Sequence, residues 1–562
     1  MFRTFCTHEI RGVIDLSGSG WFFSPAEGEH QGIKVPVTIP CCWENIPQFS
    51  AYRGIGRFSR RFNGGGDIRL VFEGVSHTGT VYVDGVRIGT HYNAFTAFDF
   101  VVRNLEEGAH LLEVDADNRF SEASALHIPN DYMTYGGITR GVRLEHIHNV
   151  YIAYLHAVPE RHSDGKWTVH FSVQLKNIGE QAFDGTIKLE INGLKADCTL
   201  PVHVEENSDT ILEADLSPAE DPGVWSPETP VLYKVSAVLA QNEISVDDLI
   251  DRIGFRTFTV SGQDLLLNGK KLRIKGFCRH EDHPMYGCAL PLAAISQDLQ
   301  IISDLGANAV RCTHYPNDPL FLDLCDERGI LIWEENHARG LTEEHMRNPN
   351  FEPQAEQCIK EMICAHINHP CILIWGILNE CASETEYGRE CYKKQYELIR
   401  RLDPSRPRSS ASCKFMTDIC LDLPEIVSYN LYPEWYVDKT SEEWVRENYD
   451  WVQKESTGAG KPFLITEIGA GAIYGYRTPA CSKWSEEYQA KALRNQISAV
   501  LNQEGCSGIF IWQYADVRIS FEWFSTRPRT MNNKGIVDEY RRPKLSYEVV
   551  KELYHSYGNY FQ

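Results

Sequence analysis

Two glutamates stand apart in the chain. Glu380 closes the stretch "NHPCILIWGILNE" and Glu467 lies near the end of "PFLITEIG", each after an apolar run rich in β-branched and aromatic residues. Such runs suit strands buried on both faces, so each carboxylate falls where a buried strand emerges. A single glutamate there serves structure as readily as chemistry. Two of them, on strands facing each other across a common mouth, suit glycoside hydrolysis. One carboxyl would protonate the departing oxygen while the other attacks the anomeric carbon or activates water. Proton donation needs a carboxyl kept neutral near neutral pH, and an apolar neighbour such as Trp375 would help Glu380 in that role.

The elements that must hold these groups are legible in the texture of the sequence. After Asn268-Gly269, apolar strand-like runs alternate with helix-like segments: "KLRIKGFC", "ANAVRCTH", "GILIWEE", "CILIWGI", a weak "RPRSSASC", "EIVSYNLY", "PFLITEIG" and "GIFIWQYAD". Eight strands, each followed by a helix or long connection, describe a (β/α)8 TIM barrel over residues 259–562, in which function gathers at the carboxyl ends of the strands. Those ends carry Arg279 to Asp282, Arg311 with His314, Glu334 and Glu335, Asn379 and Glu380, Tyr432, Glu467, and Trp512 with Asp516. Trp435, Tyr436, Tyr474, Tyr476 and Trp512 could stack on sugar faces or pack the barrel. Upstream, residues 1–148 read as short strands with an Asp84-Gly85 hairpin signal, a jelly-roll-like sandwich. Residues 149–258 continue the alternation and fit an immunoglobulin-like sandwich.

With 562 residues, 43% hydrophobic and 23% charged, the chain is an ordinary multidomain globular sequence. A formal charge of -22 argues against nucleic acid or anionic membrane as partners, though a local cation cluster can still hold an anionic ligand. The N-terminus lacks the apolar core of a signal peptide and no run reaches spanning length, so a cytoplasmic protein is expected. The seventeen cysteines include no Cys-x-x-Cys and fall largely in apolar segments, as reduced core residues do. His280, Glu281 and His283 lack the spacing that converges ligands, so no metal and no cofactor is expected. No Gly-x-Ser-x-Gly supports a serine hydrolase.

"NAVRCTHYPND", "NHPCILIWGILNE" and "FLITEIGA" resemble the signature blocks of glycoside hydrolase family 2, which contains β-galactosidases and β-glucuronidases. "SGSGWFFS" and "EGVSHTGTVYVDG" resemble that family's sugar-binding sandwich, so the likeness covers nearly the whole chain. The resemblance implies a retaining mechanism with Glu380 as acid/base, Glu467 as nucleophile and Asn379 on the sugar 2-hydroxyl. "MNNKGIV" resembles the Asn-x-Lys signature of β-glucuronidases, in which Asn532 and Lys534 would bind the C6 carboxylate of a uronic acid. A desolvated carboxylate needs such a partner and a neutral hexose does not. By the same resemblance Asp131 binds hydroxyls near C4, and Tyr432 and Tyr436 lie near the nucleophile and the sugar. Trp512 ends strand eight, His314 contacts the sugar, and Arg311 orients the nucleophile. Arg527 or Arg529 adds positive charge near the uronate. Family members assemble into homo-oligomers.

The chain departs from the β-glucuronidase pattern after strand three, where "EENHARGLTEEHMRNPNFEPQAEQ" is shorter than the long active-site loop of bacterial glucuronidases. Arg339 in that segment is either a solvated loop charge or a mouth guanidinium that hydrogen-bonds an axial 4-hydroxyl or draws the carboxylate into another pose. The resulting expectation is an exo-β-uronidase acting on terminal β-D-glucuronides, with β-galacturonides, alone or alongside glucuronides, as the alternative. A β-galactosidase and a non-catalytic carbohydrate-binding protein are the rivals, opposed by Asn532 with Lys534 and by the pair Glu380 and Glu467.

Overall fold

The structure, a computed structural model, describes residues 2–561. Its N-terminal part is an eight-stranded antiparallel sheet built around two long strands, Ile55–Phe72 and Phe98–Asp117, which pair from Ile55 opposite Asp117 to Phe72 opposite Phe98. Trp21, Phe23, Trp43, Phe58, Leu70, Val114 and Leu144 fill its core. The Asp84-Gly85 turn joins Thr78–Val83 to Val86–Tyr92 with φ of 50° and 78°, the pair of positive values that a two-residue hairpin turn of type I′ requires. The second part is a sandwich of one three-stranded and one four-stranded antiparallel sheet between Val150 and Ile253. Its strand Trp167–Asn177 alternates buried and half-buried residues along its whole length, as a strand with one face on a core must.

The third part is a closed barrel of eight parallel strands: β1 (Ile274–Arg279), β2 (Ala309–Cys312), β3 (Leu331–Glu335), β4 (Ile372–Ile377), β5 (Arg408–Ser412), β6 (Val427–Asn430), β7 (Phe463–Ile468) and β8 (Cys506–Ile511). β8 closes on β1, with Ile274 beside Gly508. Helices follow seven of the strands, and several start on a side-chain cap: Asp318, Thr385, Thr440 and Ser485 each accept a backbone N–H of the first turn. Only a 3-10 turn, Phe415–Thr417, follows β5. β5 is also the most polar strand. Ser409 reaches Ile426 O at 2.7 Å and Ser428 Oγ at 2.8 Å, and Arg408 pairs with Glu425, so its polar groups are satisfied inside the barrel wall.

One irregular segment carries the first part into the barrel. Residues 119–139 run largely without strand or helix yet are mostly buried. Tyr135 donates to Asp282 at 2.9 Å, Ser520 bonds both Asn130 N and Tyr132 O, and the ring of Tyr132 stacks on His280 with centroids 4.7 Å apart. At its root, Arg140 bonds Glu281 at 2.8 Å and Pro316 O at 2.7 Å. Among the described residues no helix is long and apolar enough to cross a membrane, which says nothing of strands.

Candidate active site

The carboxyl ends of the barrel strands bring the two glutamates to one mouth. Glu467 belongs to β7, and Glu380 stands three residues beyond β4 on a backbone turn with φ of 54°, preceded by Leu378 at 47°. Such left-handed values are uncommon for side chains of this size. The turn is held by Glu380 N–H donating to Ala411 O of β5 at 2.9 Å.

Arg311 of β2 is fully buried beneath them. Its Nε and Nη2 donate to Glu335 at 3.0 and 3.1 Å, Nη1 to Glu467 Oε1 at 2.9 Å, and Nη2 also to Asn379 Oδ1 at 2.8 Å. The hydroxyl of Tyr432 donates to Glu467 Oε2 at 2.6 Å. Burial, and after it the charge of Glu380, pushes the Glu467 carboxyl up to about 7, against the pull of Arg311 and Tyr432. With its oxygen accepting from Arg311, Asn379 turns its amide nitrogen into the mouth, where it is buried without a partner among the described residues. His314 meets Glu335 through Nδ1 at 2.8 Å and lies flat on Trp512, with centroids 5.2 Å apart. Burial, and next the charge of Arg311, holds its imidazole well below the usual histidine range, so it is neutral at pH 7. Its unpartnered Nε2 lies 3.9 Å from Glu467 Oε1.

The opposite wall comes from the irregular segment and from the loop after β3. Asp131 accepts from Asn532 Nδ2 at 3.1 Å, and its other oxygen faces Arg339 Nη2 at 3.2 Å. Burial works to raise the Asp131 carboxyl, but Arg339, Lys534 and Arg527 together hold it below the usual range. Arg339 also bonds Asn130 Oδ1 at 2.9 Å, and its Nη2 lies 3.6 Å from Glu380 Oε2. Arg339 is thus a guanidinium held at the mouth by Asn130, Asp131 and Glu380 rather than a solvated loop charge.

Lys534 completes the wall. Its ammonium donates to Tyr436 OH at 2.9 Å and lies 5.0 to 5.9 Å from the ring centroids of Tyr436, Tyr432 and Trp435. Although buried, it makes no ion pair with a carboxylate within 4.0 Å among the described residues. Arg527 adds a second cation, 3.4 Å from Tyr436 OH and 3.7 Å from Asp131. Arg529 turns away to Glu539 at 2.6 Å, which resolves the choice between the two arginines.

Several strand-end residues lie outside this cluster. Glu334 meets His366, Arg279 meets Asp298, Glu281 meets Arg140 and Asp516 meets Lys544, all as buried pairs away from the mouth. Trp375 is not the apolar neighbour of Glu380 expected from the sequence. It points outward, donating to Asp403 at 2.8 Å beneath Arg406. Tyr474 lies under Arg542 and Tyr476 is exposed with its hydroxyl on Ser482, so neither joins the mouth. Asn430 went unnoticed in the sequence. At the end of β6 its Nδ2 donates to Glu380 Oε1 at 2.9 Å and Asn379 Oδ1 at 3.1 Å, but a lone amide after "VSY" leaves no periodic or motif signal.

A model for the TIM barrel domain of glycosyl hydrolases family 2 matches residues 258–559, and a second family 2 model matches residues 150–256. The chain belongs to glycosyl hydrolases family 2. Among solved structures of the family, it is 57% identical to a β-galacturonidase from Eisenbergiella tayi bound to galacturonate, with full coverage of both chains and a TM-score of 0.97. It is 26% identical over 519 residues to a putative β-glucuronidase of Formosa agariphila, covering 86% of this chain and 61% of that protein. It is 27% identical over 497 residues to a β-galactosidase of Thermoanaerobacterium thermosulfurigenes, covering 86% of this chain and 66% of that one. The match thus spans a little under two thirds of the length of these two curated relatives.

Proposed function

We propose that the protein is a retaining exo-β-uronidase whose preferred substrates are terminal β-D-galacturonides. The observation that carries the uronide assignment is Lys534, a buried ammonium with no carboxylate partner among the described residues. A buried cation left unpaired is costly, and the C6 carboxylate of a uronic acid would supply the missing charge beside Arg527 and the second N–H of Asn532. The epimer rests on likeness to the E. tayi enzyme over the full chain and on Arg339, wedged between Asp131 and Glu380 where an axial 4-hydroxyl would lie. Glucuronides, the first expectation from the sequence, are the competing substrate.

In this reading Glu467 attacks the anomeric carbon while Glu380 gives its proton to the glycosidic oxygen. Glu380 then takes a proton from the water that splits the glycosyl-enzyme ester. Arg311 and Tyr432 aim the two oxygens of Glu467, the free amide nitrogen of Asn379 holds the 2-hydroxyl, and His314 on Trp512 forms the sugar's floor. No step calls for a metal or cofactor.

Lys534→Met tests the clamp. The variant should lose about 10²–10³-fold in kcat/KM on p-nitrophenyl β-D-galacturonide, the effect of removing one partner of a buried charge pair. Its rate on the β-D-galactoside should hold or rise. Equal losses on both would remove the clamp. Arg339→Ala should lower the ratio of galacturonide to glucuronide turnover, and an unchanged ratio would remove Arg339 from epimer choice. We also read the protein as a homo-oligomer, which a monomeric mass by light scattering would overturn.

A further inference from the structure

The buried guanidinium of Arg311 sets the orientation of a chain of amides that ends on Glu380. A guanidinium only donates. The Asn379 atom 2.8 Å from Arg311 Nη2 is therefore its oxygen. That oxygen also receives the side chain of Asn430 at 3.1 Å, so the Asn430 atom facing it is the nitrogen. The Asn430 oxygen is then left for Thr466, whose hydroxyl donates to it at 2.9 Å. The same Asn430 nitrogen lies 2.9 Å from Glu380 Oε1. All four side chains that build this chain, Arg311, Asn379, Asn430 and Thr466, are buried, so water does not compete for their bonds.

We propose that Asn430 is a positioning residue that confines the proton of Glu380 to Oε2. A carbonyl-type carboxyl oxygen accepts an N–H better than a hydroxyl oxygen does, so the bond at 2.9 Å favours Oε1 as the acceptor and Oε2 as the oxygen that carries the proton. Oε2 is the oxygen without a hydrogen-bond donor in range, 3.6 Å from Arg339. The other charged or titratable groups around Glu380 are Glu467 and Tyr432 across the mouth, and Cys381, Cys413 and Lys414 beside it. This inference rests on Glu380 acting as the acid. During cleavage the Oε2 proton passes to the glycosidic oxygen, which keeps the electron pair of its broken bond to the anomeric carbon while Glu467 forms the new C–O bond. When water later attacks that carbon, the bond to Glu467 breaks with its electron pair returning to the carboxylate, and the water's proton passes to Oε2. Without Asn430 the proton samples both oxygens and the carboxyl rotates away from the line of transfer.

The discriminating readout is the leaving group. A dinitrophenolate departs without a proton, whereas an alkoxide does not. Asn430→Ala should lose about 10²-fold or more in kcat/KM on methyl β-D-galacturonide, the range of general acid catalysis, and under about 10-fold on the 2,4-dinitrophenyl glycoside. Arg311 still pins Asn379 in that variant, so sugar binding and KM should change little. Thr466→Val, which keeps the amide but removes the hydroxyl that anchors its oxygen, should show the same leaving-group pattern in milder form, and Thr466→Ser should restore it. It carries the test if Asn430→Ala does not fold. Equal losses on the two substrates, in a protein whose wild type is active on both, would overturn the role of Asn430 alone. A wild type that turns over neither β-glycoside would overturn the glycosidase reading and this proposal with it.

Discussion

Arg311 ties together side chains that are far apart in the sequence: it holds Glu335, Glu467 and Asn379 at once, within a pocket where it is the cation closest to both carboxylates. Burial, and after it the charge of Glu380, pushes the Glu467 carboxyl up to about 7. A carboxylate nucleophile must be ionised to attack, so kcat/KM should rise as the pH climbs through that value. Glu467→Gln should lose about 10⁴-fold or more in kcat while retaining affinity for galacturonate, and should flatten that acid limb on residual turnover. Comparable loss of sugar binding would reduce Glu467 to a structural role. At this scale the sequence exposed the residues that interrupt an apolar run, Glu380 and Glu467, because a charge at a buried strand end is conspicuous. It hid Asn430 and the orientation of Trp375, which depend on strand pairing and helix packing across the barrel.

Elements decide whether these residues meet. The barrel strands were legible because β4, β7 and β8 are buried on both faces and read as continuous apolar runs. β5 was faint because its serines satisfy themselves on β6, a contact with no local trace. The segment bearing Asp131 was recognisable by resemblance alone, since it is neither strand nor helix. Glu44 anchors it, accepting Gly136 N at 2.9 Å and Asn118 Nδ2 at 3.0 Å. Burial pushes the Glu44 carboxyl from its ordinary 4.5 up to about 8, against the pull of those hydrogen bonds and of Arg518 and Arg53. A carboxyl raised on folding stabilises fully below its unfolded value, and that contribution is lost as pH rises through the folded value. Glu44→Gln keeps an acceptor oxygen without a charge to bury. The melting temperature of the variant relative to wild type should therefore climb between about pH 5 and 8, and a constant difference would contradict this account of Glu44.

For the whole molecule, the order of two sandwiches and a barrel shows in the change from alternating to continuous apolar runs. Their assembly does not: Arg140 and Glu281, a buried pair, and Arg3 and Asp323, a half-buried one, are each more than a hundred residues apart and leave no pattern in either neighbourhood. Yet that assembly makes the site, because Asp131 from the first part faces Arg339, Asn532 and Arg527 from the third. The wall so formed carries Lys534, Arg527 and Arg339, of which Arg339 is shared between Asp131 and Glu380, and Lys534 has no carboxylate partner among the described residues for an incoming uronate to displace. The most direct measurement is a set of initial rates on p-nitrophenyl β-D-galacturonide, β-D-glucuronide and β-D-galactoside under identical conditions. The account predicts the galacturonide first, the glucuronide second and the galactoside far behind. A galactoside turned over as fast as either uronide would contradict it.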